Sequence, residues 1–292
     1  MSLPGSTRAT ATKHPSHNRA IGLALAAAVG GLLFGFDSSV INGAVDSIGG
    51  KFHLGATLTG LAVAVALLGC AAGTWFGGKL ADEHGRTKIM LVGAVLLFVS
   101  AIGSAFAFNV WDLVVWRVIG GIGIGIASVI APMYIAEIAP AAMRGRLGSI
   151  QQLAITLGIS AALLSDALFA TTAGGASSPS LFGLDAWRWT FLVAIIPAAA
   201  YGFLALRIPE SPRFLVVLGR RDEALAILTD ILDDDEDPEA RIAQIEATVT
   251  AENDLANHKS LRGYAFGLLP IVWVGILLSV LQQFVGINVI FC

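Results

Sequence analysis

The sequence predicts an all-α integral membrane protein, and three observations carry that prediction. Hydrophobic residues make up 55% of the 292 positions and charged residues only 13%, about half the ~25% that a soluble domain carries. Seven apolar stretches of about 20 residues, the length that crosses a bilayer as a helix, follow one another along the chain. Basic residues gather at alternate connections between them, the bias that orients membrane proteins. So little charge excludes a disordered chain, a nucleic-acid binder with a basic face and a soluble globular enzyme. The two cysteines, Cys70 and Cys292, both lie in apolar runs, so neither a disulfide framework nor a cysteine metal cluster is expected.

Taken in order, residues 1–19 form a polar tail without the apolar core of a signal peptide. The spans then read Ala20 to Val45, Leu54 to Trp75, Ile89 to Phe108, and Val110 to Ile130 or a turn beyond. Three more run from Leu147 to Leu168, from Trp189 to Leu206, and from Gly267 to the C-terminus. Arg8, Lys13 and Arg19 precede the first span; Lys79, Arg86 and Lys88 follow the second; Arg144 and Arg146 follow the fourth; Arg213, Arg220 and Arg221 follow the sixth. The opposite connections hold only Lys51 and Arg188. The N-terminus is therefore expected in the cytoplasm. Six spans make up 20–208, a hydrophilic segment fills 209–262, and 263–292 is the seventh span.

Within 209–262, Ser211-Pro212 has the cap and first-turn chemistry of a short helix. Asp222-Glu223 opens a second, with Ala224, Leu225, Ile227, Leu228 and Ile231 on its apolar side, and Pro238 starts a third with Ile242, Ile245 and Val249. A small cytoplasmic helical bundle is expected; a mobile charged linker is the alternative. The acidic run from Asp233 to Asp237 reads as a solvated loop.

Two charges stand out inside the spans, Asp37 in the first and Arg117 in the fourth. Charges at membrane depth are costly and mark pathways or relays. Asp37 lies about eight residues, roughly 12 Å, from the outer end of its span, and Arg117 about seven residues, roughly 10 Å, below the same surface. At one depth they can pair. Such a pair can be purely structural, or it can carry a proton: protonation cancels the attraction, so proton binding and separation of the two groups favour each other. Gly121, Gly123 and Gly125 follow no strand and lie in an apolar span, so they read as helix packing, not nucleotide binding. Spans one to three and four to six each open with a Gly-rich helix bearing one charge, which suggests the three-plus-three repeat of secondary transporters.

At these residues the chain resembles the sugar porter family of the major facilitator superfamily. Gly30 to Asp37 resembles the first-span block, and Gly78-Lys79-Leu80-Ala81-Asp82-Glu83-His84-Gly85-Arg86 the loop signature after span two. Pro132-Met133-Tyr134-Ile135-Ala136-Glu137 with Arg144-Gly145-Arg146, Pro209-Glu210-Ser211-Pro212-Arg213-Phe214-Leu215, and Gln282-Gln283-Phe284-Val285-Gly286-Ile287-Asn288 resemble the later family motifs. Thr87 departs from the loop signature, which has a second basic residue there; Lys88 can stand in.

The resemblance implies a major facilitator fold: the N-terminal six-helix half, a cytoplasmic helical bundle and the first helix of the second half. It implies a multi-pass protein of the plasma membrane that moves a monosaccharide, with the lipid bilayer as its surroundings and no nucleic acid, metal or cofactor. Asp37 and Arg117 match the proton-coupling pair, which favours symport over facilitative uniport. Asp82, Arg86, Glu137, Arg144 and Glu210 match the charged cytoplasmic gate whose ion pairs hold the outward-facing state. Gln152 in span five and Gln282, Gln283 and Asn288 in span seven match the sugar-binding amides, with Ile159 and Phe34 lining the same site. Amides both donate and accept, as sugar hydroxyls require; helix-to-helix hydrogen bonding is their alternative role, and packing is that of Phe34.

A membrane-embedded enzyme would need clustered nucleophiles or metal ligands in the spans, whereas His14, His17, His53, His84 and His258 all fall in tails or loops. A membrane sugar sensor that binds without flux is the remaining rival. Family members have twelve spans, so a chain with seven is expected to be a fragment or truncated product, inactive in transport by itself. The motifs do not choose among sugars, and nothing in them sets the oligomeric state.

Overall fold

A computed structural model of the chain describes residues 16–140, 143–178, 183–232 and 236–258, together with 273–275, 277 and 281. The described residues form ten helices. Six spans are built from α1 (Ser16–Lys51), α2 (Ala56–His84), α3 (Arg86–Ala105), α4 (Val110–Ile138), α5 (Arg144–Ala173), and the pair α6 (Ala186–Val193) and α7 (Ile195–Arg207). Three short helices follow, α8 (Pro212–Val217), α9 (Arg221–Ile231) and α10 (Pro238–His258). The six expected spans are all present; most run on past their apolar limits, α2 to His84 and α4 to Ile138, whereas α3 stops at Ala105, short of the expected Phe108. The seventh lies almost wholly outside the described residues.

The turns follow from local chemistry. Gly85 alone joins α2 to α3 at φ 102°, a backbone conformation that side-chain-bearing residues rarely adopt. Asn109 caps α4 by accepting from the Asp112 amide at 3.0 Å, and the Asp112 carboxylate accepts from the Phe108 amide at 3.1 Å. The sixth span is interrupted at Ala194. Pro197, four residues beyond Val193, has no amide hydrogen for the Val193 carbonyl and crowds it. The Ala194 amide bonds instead to Phe191, three residues back, at 3.1 Å.

Helix packing shows the repeat expected from the charges. α2 packs chiefly on α4, and α5 chiefly on α1. Exchanging the first triplet of spans with the second converts one pairing into the other, as a two-fold relation requires. Both seams are built on glycine. A methyl at Gly35 would run into the Ile155 carbonyl and one at Gly158 into that of Leu32; Gly121 and Gly69 meet the Ala66 and Val118 carbonyls in the same way. Small residues here let helix backbones touch. Because backbone cannot move aside as a side chain can, Gly35→Ala should cost about 3 kcal/mol, the upper range for overpacking. Thermal unfolding in detergent reads the loss; Gly22→Ala, at a helical glycine with open space around it, should leave the midpoint unchanged or raise it slightly.

One apolar core runs from the membrane helices into the short ones. Ala224, Leu228 and Ile231 of α9 and Ile242 of α10 are buried in the same cluster as Ala20, Ala24 and Leu147. α8 to α10 thus form a packed bundle on the α1 end of the spans, not a free linker. Arg19 of α1 meets Asp230 of α9 at 3.1 Å, both about half exposed, so this contact is worth under about 1 kcal/mol and the apolar contacts decide the docking. Ser211 precedes α8 and Pro212 is its first residue, as expected, but the Ser211 hydroxyl makes no cap. It is turned into the packed interior without a partner, while the Ser211 amide bonds to the Glu210 carboxylate at 2.8 Å.

Candidate functional site

Asp37 of α1 and Arg117 of α4 meet inside the helix bundle. Arg117 Nη1 donates to both Asp37 oxygens, at 3.1 and 3.0 Å. The residues are 8% and 2% exposed, so each charge depends on the other for its only strong solvation. The pair is not a fork. One nitrogen serves both oxygens, the Arg117 Nε is buried without a partner, and the guanidinium carbon lies 5.7 Å from the Phe191 ring centre. A guanidinium so incompletely bonded is held by the carboxylate's charge more than by geometry. A proton on Asp37 would remove that hold.

A second network sits where the spans meet the short helices, and there every nitrogen is used. Arg86 Nε and Nη2 donate to the two Glu137 oxygens at 3.0 and 2.9 Å, and Nη1 to the Ala81 carbonyl at 3.1 Å. Asp82 adds an ion pair at 2.9 Å from an exposed position, while Arg86 and Glu137 are only 5% and 10% exposed in their side chains. The guanidinium also stands over the Phe214 ring, 5.5 Å from its centre. Tyr134 of α4 ties in the following segment by donating to the Pro209 carbonyl at 2.8 Å.

Glu210 caps α3. Its carboxylate accepts from the Arg86 amide at 2.9 Å, from the Thr87 amide at 3.3 Å and from the Thr87 hydroxyl at 2.8 Å. An anion at a helix N-terminus satisfies free amides and opposes the macrodipole. The other end of α3 carries the opposite charge: Arg188 of α6 donates to the Ala105 and Ala107 carbonyls. Lys51 and Asp185 close the same end at 2.9 Å. Sequence reasoning missed the Arg188 role; a lone base beside the end of a span was its only signal. Glu210→Gln keeps the shape and removes the charge, and should lower stability by about 1–2 kcal/mol. The fall in unfolding midpoint should be smaller for Thr87→Val, which loses one hydroxyl bond.

Other expected site residues are placed as follows. Arg144 does not join the Arg86 network: it is exposed and lines a cleft of about 370 Å³ with Glu137, Arg213, Arg241 and Gln244. Lys88 is exposed, while Thr87 itself hydrogen-bonds to Glu210. Gln152 is exposed on α5, whereas its neighbour Gln151 is buried against Gly31 of α1. Ile159 is half-buried with its backbone against Gly35, and Phe34 is half-buried on the apolar core. Gln282, Gln283 and Asn288 lie outside the described residues. Among the described residues no group of acids, histidines and cysteines is arranged to hold a metal. A further charge in the spans, Asp166 of α5, lies near the end of its apolar run.

Comparison with known proteins matches this architecture to transporters. The profile of the family described as "Sugar (and other) transporter" matches residues 23–292. A glucose transport protein of Synechocystis sp. is 54% identical over 268 residues, which cover 91% of this chain and 56% of that protein. The D-xylose-proton symporter of Escherichia coli is 36% identical over 296 residues, covering 92% and 58%. The chain thus spans little more than half the length of these relatives. A solved structure of the proton:xylose symporter XylE bound to 6-bromo-6-deoxy-D-glucose superposes with a TM-score of 0.81 at 36% identity, covering 94% of this chain and 61% of that one. The inward-open form of the Escherichia coli xylose transporter gives 0.72 at 35% identity, covering 93% and 63%. Six apolar spans in two related triplets, a buried acid–base pair between them and a profile match through nearly the whole sequence lead to one assignment: this multi-pass membrane chain belongs to the sugar porter family of the major facilitator superfamily.

Proposed function

We propose that the chain supplies the first six spans of a proton-coupled monosaccharide symporter of the plasma membrane, with its N-terminus and α8 to α10 in the cytoplasm. The observation that carries this reading is the buried Asp37–Arg117 pair, a proton acceptor whose partner is free to leave when it is neutralised. Similarity to a glucose transport protein and to a D-xylose-proton symporter supports the substrate class, and the basic connections support the orientation.

In this reading Asp82, Arg86, Glu137, Arg144 and Glu210 form the cytoplasmic gate. Arg86, Glu137 and Glu210 fix the ends of α2, α3 and α4 as one body, and Arg144 on its cleft faces outward from that body. Sugar binds on the open face of α5 at Gln152, beside Ile159 and Phe34, with Gln282, Gln283 and Asn288 of the seventh span completing the hydrogen bonds. Protonated Asp37 frees Arg117, and the spans rearrange to carry both solutes. Removing one amide leaves a sugar hydroxyl unpaired and should weaken binding about five- to a hundredfold. Uptake by the full-length protein of a labelled monosaccharide, competed by a panel of pentoses, hexoses and polyols at two external pH values, tests the reading. Uptake should rise at the lower pH and be competed by a subset of monosaccharides. Indifference to both overturns it.

A further inference from the structure

Asp166 lies on α5 where that helix packs on α1 and α6. α1 presents bare backbone there, since a Cβ on Gly43 would run into the Asp166 carboxyl group. Thr190 of α6 stands beside it and donates its own hydroxyl proton to the Trp187 carbonyl at 2.7 Å. Both Asp166 oxygens are sealed from solvent and accept no hydrogen bond. Asp37, Glu137, Asp185 and Glu210 each have a donor. Asp166 has none.

Among the described residues no neighbouring charge answers it. On α1, Asp37 is paired with Arg117 and Lys51 with Asp185, and Asp46, one turn beyond Gly43, is itself an acid. On α6, Arg188 is committed to the α3 carbonyls and to Asp185. On α4, which α5 also touches, Arg117 serves Asp37 and Asp112 caps its own helix. An ionised carboxylate in this junction would have no counter-ion among the described residues. The Thr190 hydroxyl could serve it only by leaving the Trp187 carbonyl, so the charge stays poorly compensated, the state that buried charges avoid. The neutral acid differs, because it gains one donor. The Thr190 oxygen has free lone pairs while its proton is already committed. Acid, hydroxyl and the Trp187 carbonyl can then form a satisfied chain.

We propose that Asp166 is a second proton-binding site, carried as the neutral acid while α1, α5 and α6 are packed together and open to titration when they part. Gly43 lies six residues, roughly 9 Å, beyond Asp37 along α1, so Asp166 stands between the ion pair and the end of the bundle away from α8 to α10. Its role in coupling rests on the symport reading above; its protonation does not, and can be read separately.

Infrared spectroscopy of the full-length protein in an Asp37→Asn background distinguishes protonated from ionised carboxyls. At neutral pH a carboxylic-acid band should be present and should disappear in Asp37→Asn/Asp166→Asn. Identical acid bands in the two proteins overturn the site. Should the double variant fail to accumulate, Thr190→Val in the Asp37→Asn background leaves Asp166 in place and removes its acceptor. The acid band should then shift to that of a carboxyl without a hydrogen bond, and an unmoved band overturns the site. Sugar-coupled proton movement in a parent without this band defeats the second site and spares the symport reading. The band in a protein that moves sugar without protons does the reverse.

Discussion

Asp37→Asn should abolish accumulation of sugar against a gradient while leaving exchange of sugar between the two sides. The asparagine has the shape of the acid and can still accept from Arg117 Nη1, now at 3.0 to 3.1 Å from both oxygens. It cannot take up a proton. Arg117 then faces a neutral partner in every state, so the difference that ties its release to a proton is gone. Binding and reorientation of the loaded carrier need no such difference, and counterflow persists. The accumulation ratio should fall to one. Loss of the buried counter-charge also costs folding stability, about 1–3 kcal/mol when a neutral acceptor remains. Concentrative uptake equal to the parent's would remove Asp37 from the coupling.

The largest loss of stability is expected at Arg86. Its side chain is 5% exposed and holds Glu137, 10% exposed, through two bonds. Arg86→Ala leaves the Glu137 carboxylate buried and unpaired, a change that costs about 3–5 kcal/mol where one partner of a buried pair is removed. It also removes one of two donors to the Ala81 carbonyl, which keeps the Gly85 amide. Arg86→Lys restores charge without the planar fork and should recover only part of the loss. Asp82→Ala removes an exposed partner and should shift stability by under about 1 kcal/mol. Thermal unfolding of the three variants in one detergent gives the order directly. An Arg86→Ala midpoint no lower than that of Asp82→Ala would show that the fork does not hold these helices together.

The six spans were legible because bilayer length and hydropathy act on every residue of a crossing helix. The Asp37–Arg117 pair was legible because two charges so costly at that depth leave few arrangements. Helix phase was not. In a span apolar on all sides, no moment separates the inner face from the outer, so Gln151 and Gln152 look alike in sequence although one is buried on α1 and the other exposed. Span ends were underestimated because polar residues such as Asp82 and Glu137 extend α2 and α4 through ion pairs, which hydropathy does not register. The break at Ala194 follows from Pro197, a residue visible in the sequence but weighed as part of a continuous span. Arg188 and Glu210 act on the ends of α3 from 81 to 124 positions away, and no local pattern reports such a contact.

The proposed coupling is tested most directly by the proton itself. Full-length protein is reconstituted in vesicles without a membrane potential, an accepted monosaccharide is added outside in unbuffered medium, and external pH is recorded. Downhill sugar entry should draw protons in with it, so the medium should turn alkaline at a rate that tracks sugar uptake, and the signal should vanish in Asp37→Asn. Sugar entering at full rate with the external pH unchanged would contradict proton symport and leave the Asp37–Arg117 pair a structural one.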